Sequence, residues 1–566
     1  MGSIATAAVP ATADSGPGSR RRWAWLLAVG WLLQVGLRLW LAARQNLPTA
    51  NPDETGYLFA ARILAGGPDA DMSTTTFYQI GYPLLISPAF WFSGDAETIF
   101  RLVVGINSVL SALIVPLGFL AGRRFGLSPV QAFVLAQVTA LLPASIFFAQ
   151  YALTDAVLPV VVLAWLLAVH SWLGGSFWAG PAAGLLAGFA YATHSRGLII
   201  VGVQALLLLA ALIRRWAPRK ASAASAATLA VTLAAGYLGN AWLKGHLYKG
   251  GIKQLGHWLT ERLTTLDGLG WTLAGGLGQI WYLIVSTWGL AGLALVAAVV
   301  ILRRPGVPLA TRLTGAAVLL TVLGIAFVTI AALPDENRVG NLVYGRYLAC
   351  LAPALFVAGG ALILRAGRGA VLRLAAVAAA VTLLIALVVR LHAGTRLTRS
   401  QFVPFDFPET SFLTWDWHVL DLWLATGAAL ALLAVAVLTR PVIAAVVLAL
   451  AGLGASVTAT QKISHVMVAD MAPAVLPVAS PDRVAIDQAL LWRLRLPQTF
   501  QVTWSQVLTF DAAKAPVPAG ATVVIMPWPD GTRKAASWPT APEGWKPVAS
   551  ARTYLGGNWV AWRPAG

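Results

Sequence analysis

The chain has 566 residues, of which 58% are hydrophobic and only 11% are charged, and its mean hydropathy is +0.73. Because soluble proteins carry about 25% charged residues, this composition excludes an ordinary soluble protein and indicates a polytopic membrane protein. The net charge of +18 does not indicate a nucleic-acid partner, because the basic residues cluster in short loops between apolar segments, where they set membrane orientation.

Residues 1–22 are predicted to form a disordered cytoplasmic tail. Small residues and prolines fill the segment from Gly2 to Gly18, and three arginines, Arg20–Arg22, follow it directly. Arginines beside a span stay on the cytoplasmic side. The apolar segment 23–43 is too long for a signal-peptide core and has no convincing cleavage site, so we predict an uncleaved first span.

The first loop, residues 44–98, contains the first acidic pair, Asp53 and Glu54, in the stretch NPDETGYLFAARILAGG. Pro52 and Asp53 favour a helix start, and the segment 66–68, GGP, favours its end. The helix between them is too short to cross a bilayer, and its apolar side suits the membrane surface. Two interpretations stay open: Asp53 either caps this helix or takes part in chemistry.

Twelve further apolar segments predict an all-α membrane domain of thirteen spans over residues 23–460. The arginine-rich loops then share the cytoplasmic side with the N-terminus, and the odd span count places the C-terminus outside. The further segments cover residues 99–121, 128–148, 153–172, 177–193, 197–213, 222–241, 277–301, 313–333, 345–365, 371–390, 420–439 and 441–460.

Four segments predicted outside are long enough for chemistry: 44–98, 242–276, 391–419 and the tail from 461. The second is basic against the orientation trend and carries Lys244, so it favours an anionic partner. The tail, residues 461–566, is predicted to be a small extracytoplasmic α/β domain with a helix near 482–494 and strands near 521–527 and 556–563. Its tryptophans at 504, 528, 538, 545, 559 and 562 favour a compact core over a sugar-stacking face.

Ionisable groups recur at the outer ends of the predicted spans. Such groups are costly at membrane depth and usually face a cavity, where they pair with each other or with a ligand. For each one alone a structural ion pair is the alternative, but their joint placement predicts a cavity open to the outer leaflet. The groups are Asp53, Glu54, Tyr151, Asp155, His194, Arg196, Tyr344, Arg346 and Tyr347.

This pattern suits the transfer of a sugar from a lipid phosphate to a hydroxyl. One carboxylate accepts the hydroxyl proton, and fixed cations stabilise the departing phosphate. The phosphate needs no acid to protonate it, because its second pKa is about 6. We predict Asp53 as the general base and Glu54 as the residue that orients Asp53 or the acceptor.

The motifs DETGYLFAARILAGG, FYQIGYPLL, YALTDA and YGRYLACLAP occur in an order that resembles the GT-C membrane glycosyltransferases. The similarity is strongest to the polyprenyl-phosphate-sugar-dependent group of protein O-mannosyltransferases and lipid A aminoarabinose transferases. In that family the proposed base falls on Asp53. The resemblance implies a polyprenyl-phosphate-sugar donor, and the family's acidic residue in a later outside turn falls on Asp155. We predict substrate contacts from Tyr57, Tyr78, Tyr82, Asp155, His194, Arg196, Lys244, Tyr344 and Arg346.

The aminoarabinose transferases have a phosphate-binding lysine where this chain has Tyr82, so we expect Lys244, Arg196 or Arg346 to contact the donor phosphate. The acceptor is expected to be a hydroxyl on a glycan, lipid or protein at the outer face of the cell membrane. No cofactor is expected, although a divalent metal is not excluded, and the single cysteine, Cys350, excludes a metal site built from cysteines. The alternative is a secondary transporter or flippase of a lipid-linked sugar.

Overall fold

The computed structural model describes residues 17–474, 483–553 and 557–565. Within them, eight helices are long and apolar enough to cross a membrane, and the number rises to ten if each of two bent helix pairs counts as one span. The protein is therefore an all-α multi-pass membrane protein, whereas the count of thirteen spans stays a prediction. The eight helices are Ser19–Leu41, Ala96–Arg124, Gly197–Arg214, Arg219–Leu247, Leu309–Ala332, Gly340–Arg365, Arg368–Ala393 and Pro441–Met471.

Both bent pairs fall where a single straight span was predicted. The first, Pro129–Ala140 with Pro143–Gln150, bends by 65°, since Pro143 lacks a backbone N–H and disfavours helix at the residue before it. The second, Leu266–Ser286 with Leu290–Leu302, bends by 116°. There Trp288 and Gly289 adopt positive φ angles of 56° and 82°, which end a right-handed helix.

Shorter helices complete the bundle and its loops. Two apolar helices, Leu158–Leu173 and Leu422–Leu438, are each below the length of a full span, and Ala179–Thr193 packs against Arg219–Leu247. The remaining helices of at least six residues outside the C-terminal domain are Asp53–Leu64, Gly81–Ile86, Gly256–Thr264 and Pro408–Thr414.

The predicted N-terminal tail lies mostly outside the described residues, which begin at Pro17. From there the chain is helical to Leu41, so the prediction of disorder is wrong for residues 17–22. At the other end, the last span continues as helix to Met471, eleven residues beyond the predicted end at 460. Ser464 in this extension is hydrogen-bonded to the Tyr151 hydroxyl at 2.7 Å.

The C-terminal domain has a five-stranded sheet in the order β2-β1-β3-β5-β4. Its strands are β1 (Val484–Asp487), β2 (Leu508–Phe510), β3 (Val523–Pro527), β4 (Trp545–Thr553) and β5 (Gly557–Pro564). Strands β1, β2 and β3 pair in parallel, and β5 pairs antiparallel with β3 and β4.

The α/β class of this domain is as predicted, but its helix lies later. Residues 484–487 form a strand, and the helix begins at Trp492 and ends at Gln501. The preceding run, VAID, is apolar and β-branched, which favours a buried strand. Trp538, Trp559 and Trp562 are buried in the domain core, as the core interpretation predicted.

The C-terminal domain packs directly on the first loop and on the start of the helix Ala96–Arg124 that follows it. Phe500, at the end of the domain helix, lies edge-on to Phe100 with the ring centroids 6.4 Å apart. Trp504 packs in the same way on Phe90, and its indole N–H donates to the carbonyl of Ser93 at 3.4 Å. Aromatic pairs of this geometry contribute beyond their buried area.

A buried arginine also joins the first loop to the C-terminal domain. Arg62, near the end of the helix Asp53–Leu64, donates to the carbonyls of Val502 and Thr503, each at 3.4 Å, and to the carbonyl of Asp69 at 3.2 Å. Its guanidinium lies 5.1 Å from the centre of the Phe59 ring. The helix that begins with Asp53 therefore ends against the C-terminal domain.

Candidate active site

Asp53 opens the helix Asp53–Leu64, but its side-chain contacts lead away from that helix. Pro52 occupies the N-cap position. One Asp53 oxygen accepts a hydrogen bond of 3.0 Å from the Tyr78 hydroxyl, and the other lies 3.3 Å from a guanidinium nitrogen of Arg346. These partners favour the interpretation in which Asp53 takes part in chemistry over the interpretation in which it only caps the helix.

Asp155 lies at the centre of the charged cluster. Its two oxygens pair with Arg196 at 2.9 Å and with Arg346 at 3.1 Å. Burial alone would raise the pKa of Asp155, but Arg346 and then Arg196 outweigh burial and lower it to about 2. Asp155 is therefore ionised at neutral pH and orients both guanidinium groups.

Arg346 connects the two carboxylates, since it contacts both Asp53 and Asp155. Its guanidinium also lies 5.5 Å from the ring centres of Phe148 and Phe405, and 3.5 Å from the Tyr344 hydroxyl. A guanidinium group suits this arrangement because its planar fork binds carboxylates while its faces stack on rings.

Arg196 holds the segment that carries Arg346. It donates hydrogen bonds of 2.9 Å to the carbonyls of Arg346 and Tyr347. His194, two residues earlier, accepts a hydrogen bond of 3.2 Å from the Arg196 backbone N–H. Burial, and then the charge of Arg196, lowers the pKa of His194 well below its usual value, so the imidazole is neutral.

Glu54 is fully buried, and its carboxylate meets only backbone N–H groups. It accepts from Thr49 at 2.6 Å, from Ala50 at 2.7 Å and from Ala152 at 2.7 Å. Burial raises the pKa of Glu54 to about 7, although these three hydrogen bonds oppose the shift. Glu54 thus ties the loop before Asp53 to the turn before Asp155. That Glu54 orients Asp53 stays a prediction. Glu54 would do so through its hydrogen bonds to the backbone, not through a direct contact with Asp53.

Three tyrosines pack against one another next to Asp53, with Tyr57 between Tyr78 and Tyr82. The Tyr57 ring lies edge-on to Tyr78 at 5.0 Å and to Tyr82 at 5.2 Å. The Tyr82 hydroxyl donates a hydrogen bond of 3.0 Å to Asn107. A Cβ atom on Gly56 would lie 2.2 Å from the Tyr78 ring, so glycine is needed there to let Tyr78 reach Asp53.

Lys244 lies apart from the arginine cluster. It lines a half-open cavity of about 460 Å³ that also contacts Phe77 and Gln79, and its ammonium group lies 4.8 Å from the centre of the Phe77 ring. Among the described residues it has no acidic partner within ion-pair distance. The cavity is lined by Phe77, Gln79, Tyr191, Tyr237, Asn240, Ala241 and Lys244.

The structure thus brings together Asp53, Asp155, Arg196 and Arg346, with Tyr78 and Tyr344 in contact. Sequence reasoning missed Phe148, Phe405 and Asp406, which lie around Arg346. A signal was present in FVPFDFPE, where an acidic residue stands between phenylalanines in a loop. Within the described residues, no group of three or more His, Cys, Asp or Glu side chains is arranged to hold a metal ion.

No protein-family model matches the sequence, and no curated protein matches it. Comparison with solved structures shows that the chain has a GT-C-like fold. One solved structure to which the chain is similar is ArnT from Cupriavidus metallidurans. Its complex with undecaprenyl phosphate matches with a TM-score of 0.55 and 15% identity, over 96% of this chain and 98% of that one.

The apo state of the same ArnT matches with the same TM-score, identity and coverage. At 15% identity the likeness concerns the fold alone, and at that level the resemblance to GT-C proteins is confirmed. The archaeal oligosaccharyltransferase AglB from Archaeoglobus fulgidus, in complex with an inhibitory peptide and a dolichol-phosphate, matches at a TM-score of 0.42 with 12% identity. That match covers 90% of this chain and 70% of that one and carries no further inference.

Proposed function

We propose that the protein is a membrane glycosyltransferase that moves a sugar from a polyprenyl-phosphate carrier to an acceptor hydroxyl at the outer face of the cell membrane. The observation that carries the proposal is the contact between Asp53 and Arg346 beside the buried Asp155. This contact supports the proposal because a carboxylate can accept a proton and a guanidinium group can bind phosphate. The GT-C fold, shared with an ArnT that binds undecaprenyl phosphate, supports the lipid carrier.

Exposure decides which carboxylate acts as the base. The Asp53 side chain is 39% exposed, whereas the Asp155 side chain is 4% exposed and paired with two arginines. A general base must reach the proton that it abstracts. Asp53 meets this requirement, and Asp155 instead holds Arg346 and Arg196 in place.

The reaction follows from the different roles of Asp53 and Asp155. The donor phosphate binds the Arg346 guanidinium at the position of its longer contact, the one of 3.3 Å to Asp53, while Asp155 keeps its contact of 3.1 Å. The acceptor oxygen forms a bond to the anomeric carbon, and the bond from that carbon to the phosphate oxygen breaks. The electron pair stays on the phosphate, which Arg346 stabilises, and the hydroxyl proton passes to Asp53.

The experiment is a transfer assay with purified protein in lipid nanodiscs and a panel of polyprenyl-phosphate sugars. We expect one donor to yield free polyprenyl phosphate and a glycosylated acceptor in equal amounts. Proteoliposomes loaded with the same donors test the alternative. Movement of the intact donor across the bilayer, with no polyprenyl phosphate released from any donor, would identify a flippase and contradict the proposal.

A further inference from the structure

Asp406 is a buried carboxylate that the reaction above does not use. It lies in the turn Pro404–Asp406, before the helix Pro408–Thr414, and it is 6% exposed. Among the described residues its carboxylate forms no hydrogen bond, no basic group lies within 4.0 Å of it, and its oxygens keep a small exposed area. Buried carboxylates are normally hydrogen-bonded, because an unpaired one is costly.

The position of Asp406 places it beside the charged cluster. Its neighbour Phe405 stacks on the Arg346 guanidinium at 5.5 Å and lies edge-on to Tyr151 at 4.9 Å. Burial raises the pKa of Asp406 to about 6, although Arg346 and Arg338 act in the opposite direction. The arginines are therefore close enough to act on Asp406 through space but leave its oxygens without a direct partner.

Glu409, three residues later, shows that this loop does not leave carboxylates unpaired in general. Glu409 is also buried, at 2% exposed, and it accepts a hydrogen bond of 2.7 Å from the Tyr282 hydroxyl. The same short segment thus contains one carboxylate with a protein partner and one without. The difference indicates that a partner from outside the protein completes the contacts of Asp406.

The surroundings define the chemistry of that partner. A carboxylate only accepts hydrogen bonds, so the partner must be a donor. Three carboxylates, Asp53, Asp155 and Asp406, share the arginines Arg196 and Arg346. The third nearby arginine, Arg338, is already paired with Glu336. Carboxylates therefore outnumber arginines there, so a second anion beside the phosphate is disfavoured. The group attached to a phosphate bound at Arg346 is the sugar, whose hydroxyl groups are donors. We propose that Asp406 binds hydroxyl groups of the donor sugar and so helps to select the sugar, an inference that rests on the proposed function.

The test compares two ligands that differ only in the sugar. Binding of a polyprenyl-phosphate sugar and of sugar-free polyprenyl phosphate is measured on the wild type and on Asp406→Asn, with Glu409→Gln as the matched control. We expect Asp406→Asn to weaken binding of the sugar-bearing lipid by about tenfold to a hundredfold, as for other hydrogen bonds to charged groups. Binding of the sugar-free lipid should stay unchanged, and Glu409→Gln should leave both affinities unchanged.

Donors that lack one sugar hydroxyl at a time sharpen the test. One of these donors should bind the wild type more weakly than the complete donor does. Asp406→Asn should not weaken its binding further, because the hydroxyl that Asp406 binds is already absent. An equal loss for the sugar-bearing and sugar-free lipids in Asp406→Asn would overturn the assignment to the sugar while leaving the proposed function intact. A wild-type protein that binds neither lipid would overturn the proposed function as well.

Discussion

The two ends of the helix Asp53–Leu64 carry charged residues that differ in their exposure and in their partners. At the start, Asp53 is partly exposed and meets charged and hydroxyl partners from other segments. Near the end, Arg62 is 2% exposed and meets backbone carbonyls and a ring. A partly exposed charge with a displaceable partner can exchange protons or ligands, whereas a buried charge held by backbone groups fastens segments together.

Glu54 shows that neighbours in sequence can differ in the same way. Its carboxylate is adjacent to that of Asp53 along the chain, but it is buried and held by three backbone N–H groups. Successive residues on a helix point in different directions, so one turns to the site and the other to the interior. From this comparison we predict that Asp53 acts in chemistry and that Glu54 and Arg62 position the helix that carries it.

The largest expected effect comes from Asp53→Asn. The amide keeps the size of the side chain but cannot accept the acceptor proton, so kcat should fall by about 10² to 10⁴ while donor binding persists. The measurement is turnover together with the thermal unfolding temperature, which should change little. The control is Asp95→Asn in the same loop, where the exposed Asp95 caps the next helix and asparagine caps equally well. Near-normal turnover in Asp53→Asn would contradict the assignment.

Arg346→Lys should have the next largest effect. Lysine keeps the charge but loses the planar fork that contacts Asp53 and Asp155, so we expect donor affinity to fall by roughly tenfold or more. Titration with polyprenyl phosphate measures this loss. Arg396→Lys is the control, because Arg396 pairs with Asp335 away from the cluster. Equal donor affinity in the wild type and Arg346→Lys would remove Arg346 from phosphate binding.

The pH dependence of stability tests the fastening role of Glu54. Burial raises its pKa to about 7 in the folded protein from the usual value of 4.5, so the folded state binds this proton more tightly than the unfolded state. Its contribution to stability therefore falls as pH rises from about 4.5 to about 7. Thermal unfolding at several pH values should show a smaller decrease over this window in Glu54→Gln than in the wild type. An unchanged pH profile would contradict the shift.

The smallest effect is expected from Arg62→Lys. Its contacts with the carbonyls of Val502 and Thr503 are long, at 3.4 Å, so losing their geometry should cost about 1 kcal/mol. We expect a lower unfolding temperature and a change in kcat of no more than a few fold. Arg493→Lys, an exposed position on the domain helix, should be silent. A collapse of kcat with normal stability would show that Arg62 takes part in chemistry.

The sequence predicted the convergence of Asp53, Asp155, Arg196 and Arg346 because span ends place charged residues at known depths. It could not predict the contact of Asp53 with Tyr78, which depends on how the first loop folds back. Asp406 was missed for a related reason: its loop follows no span periodicity, so nothing fixed its depth. The bend at Gly289 was missed because an apolar run has the same composition whether it is straight or broken.

The helix Pro441–Met471 has a consequence for the distance between the C-terminal domain and the bilayer. Its 31 residues extend over about 46 Å, whereas the hydrocarbon core of a bilayer is about 30 Å thick. Ser464 is hydrogen-bonded to Tyr151, and from Ser464 the helix continues for about 10 Å to Met471. The helix thus acts as a spacer of fixed length, and removing one turn would lower its upper end by about 5 Å.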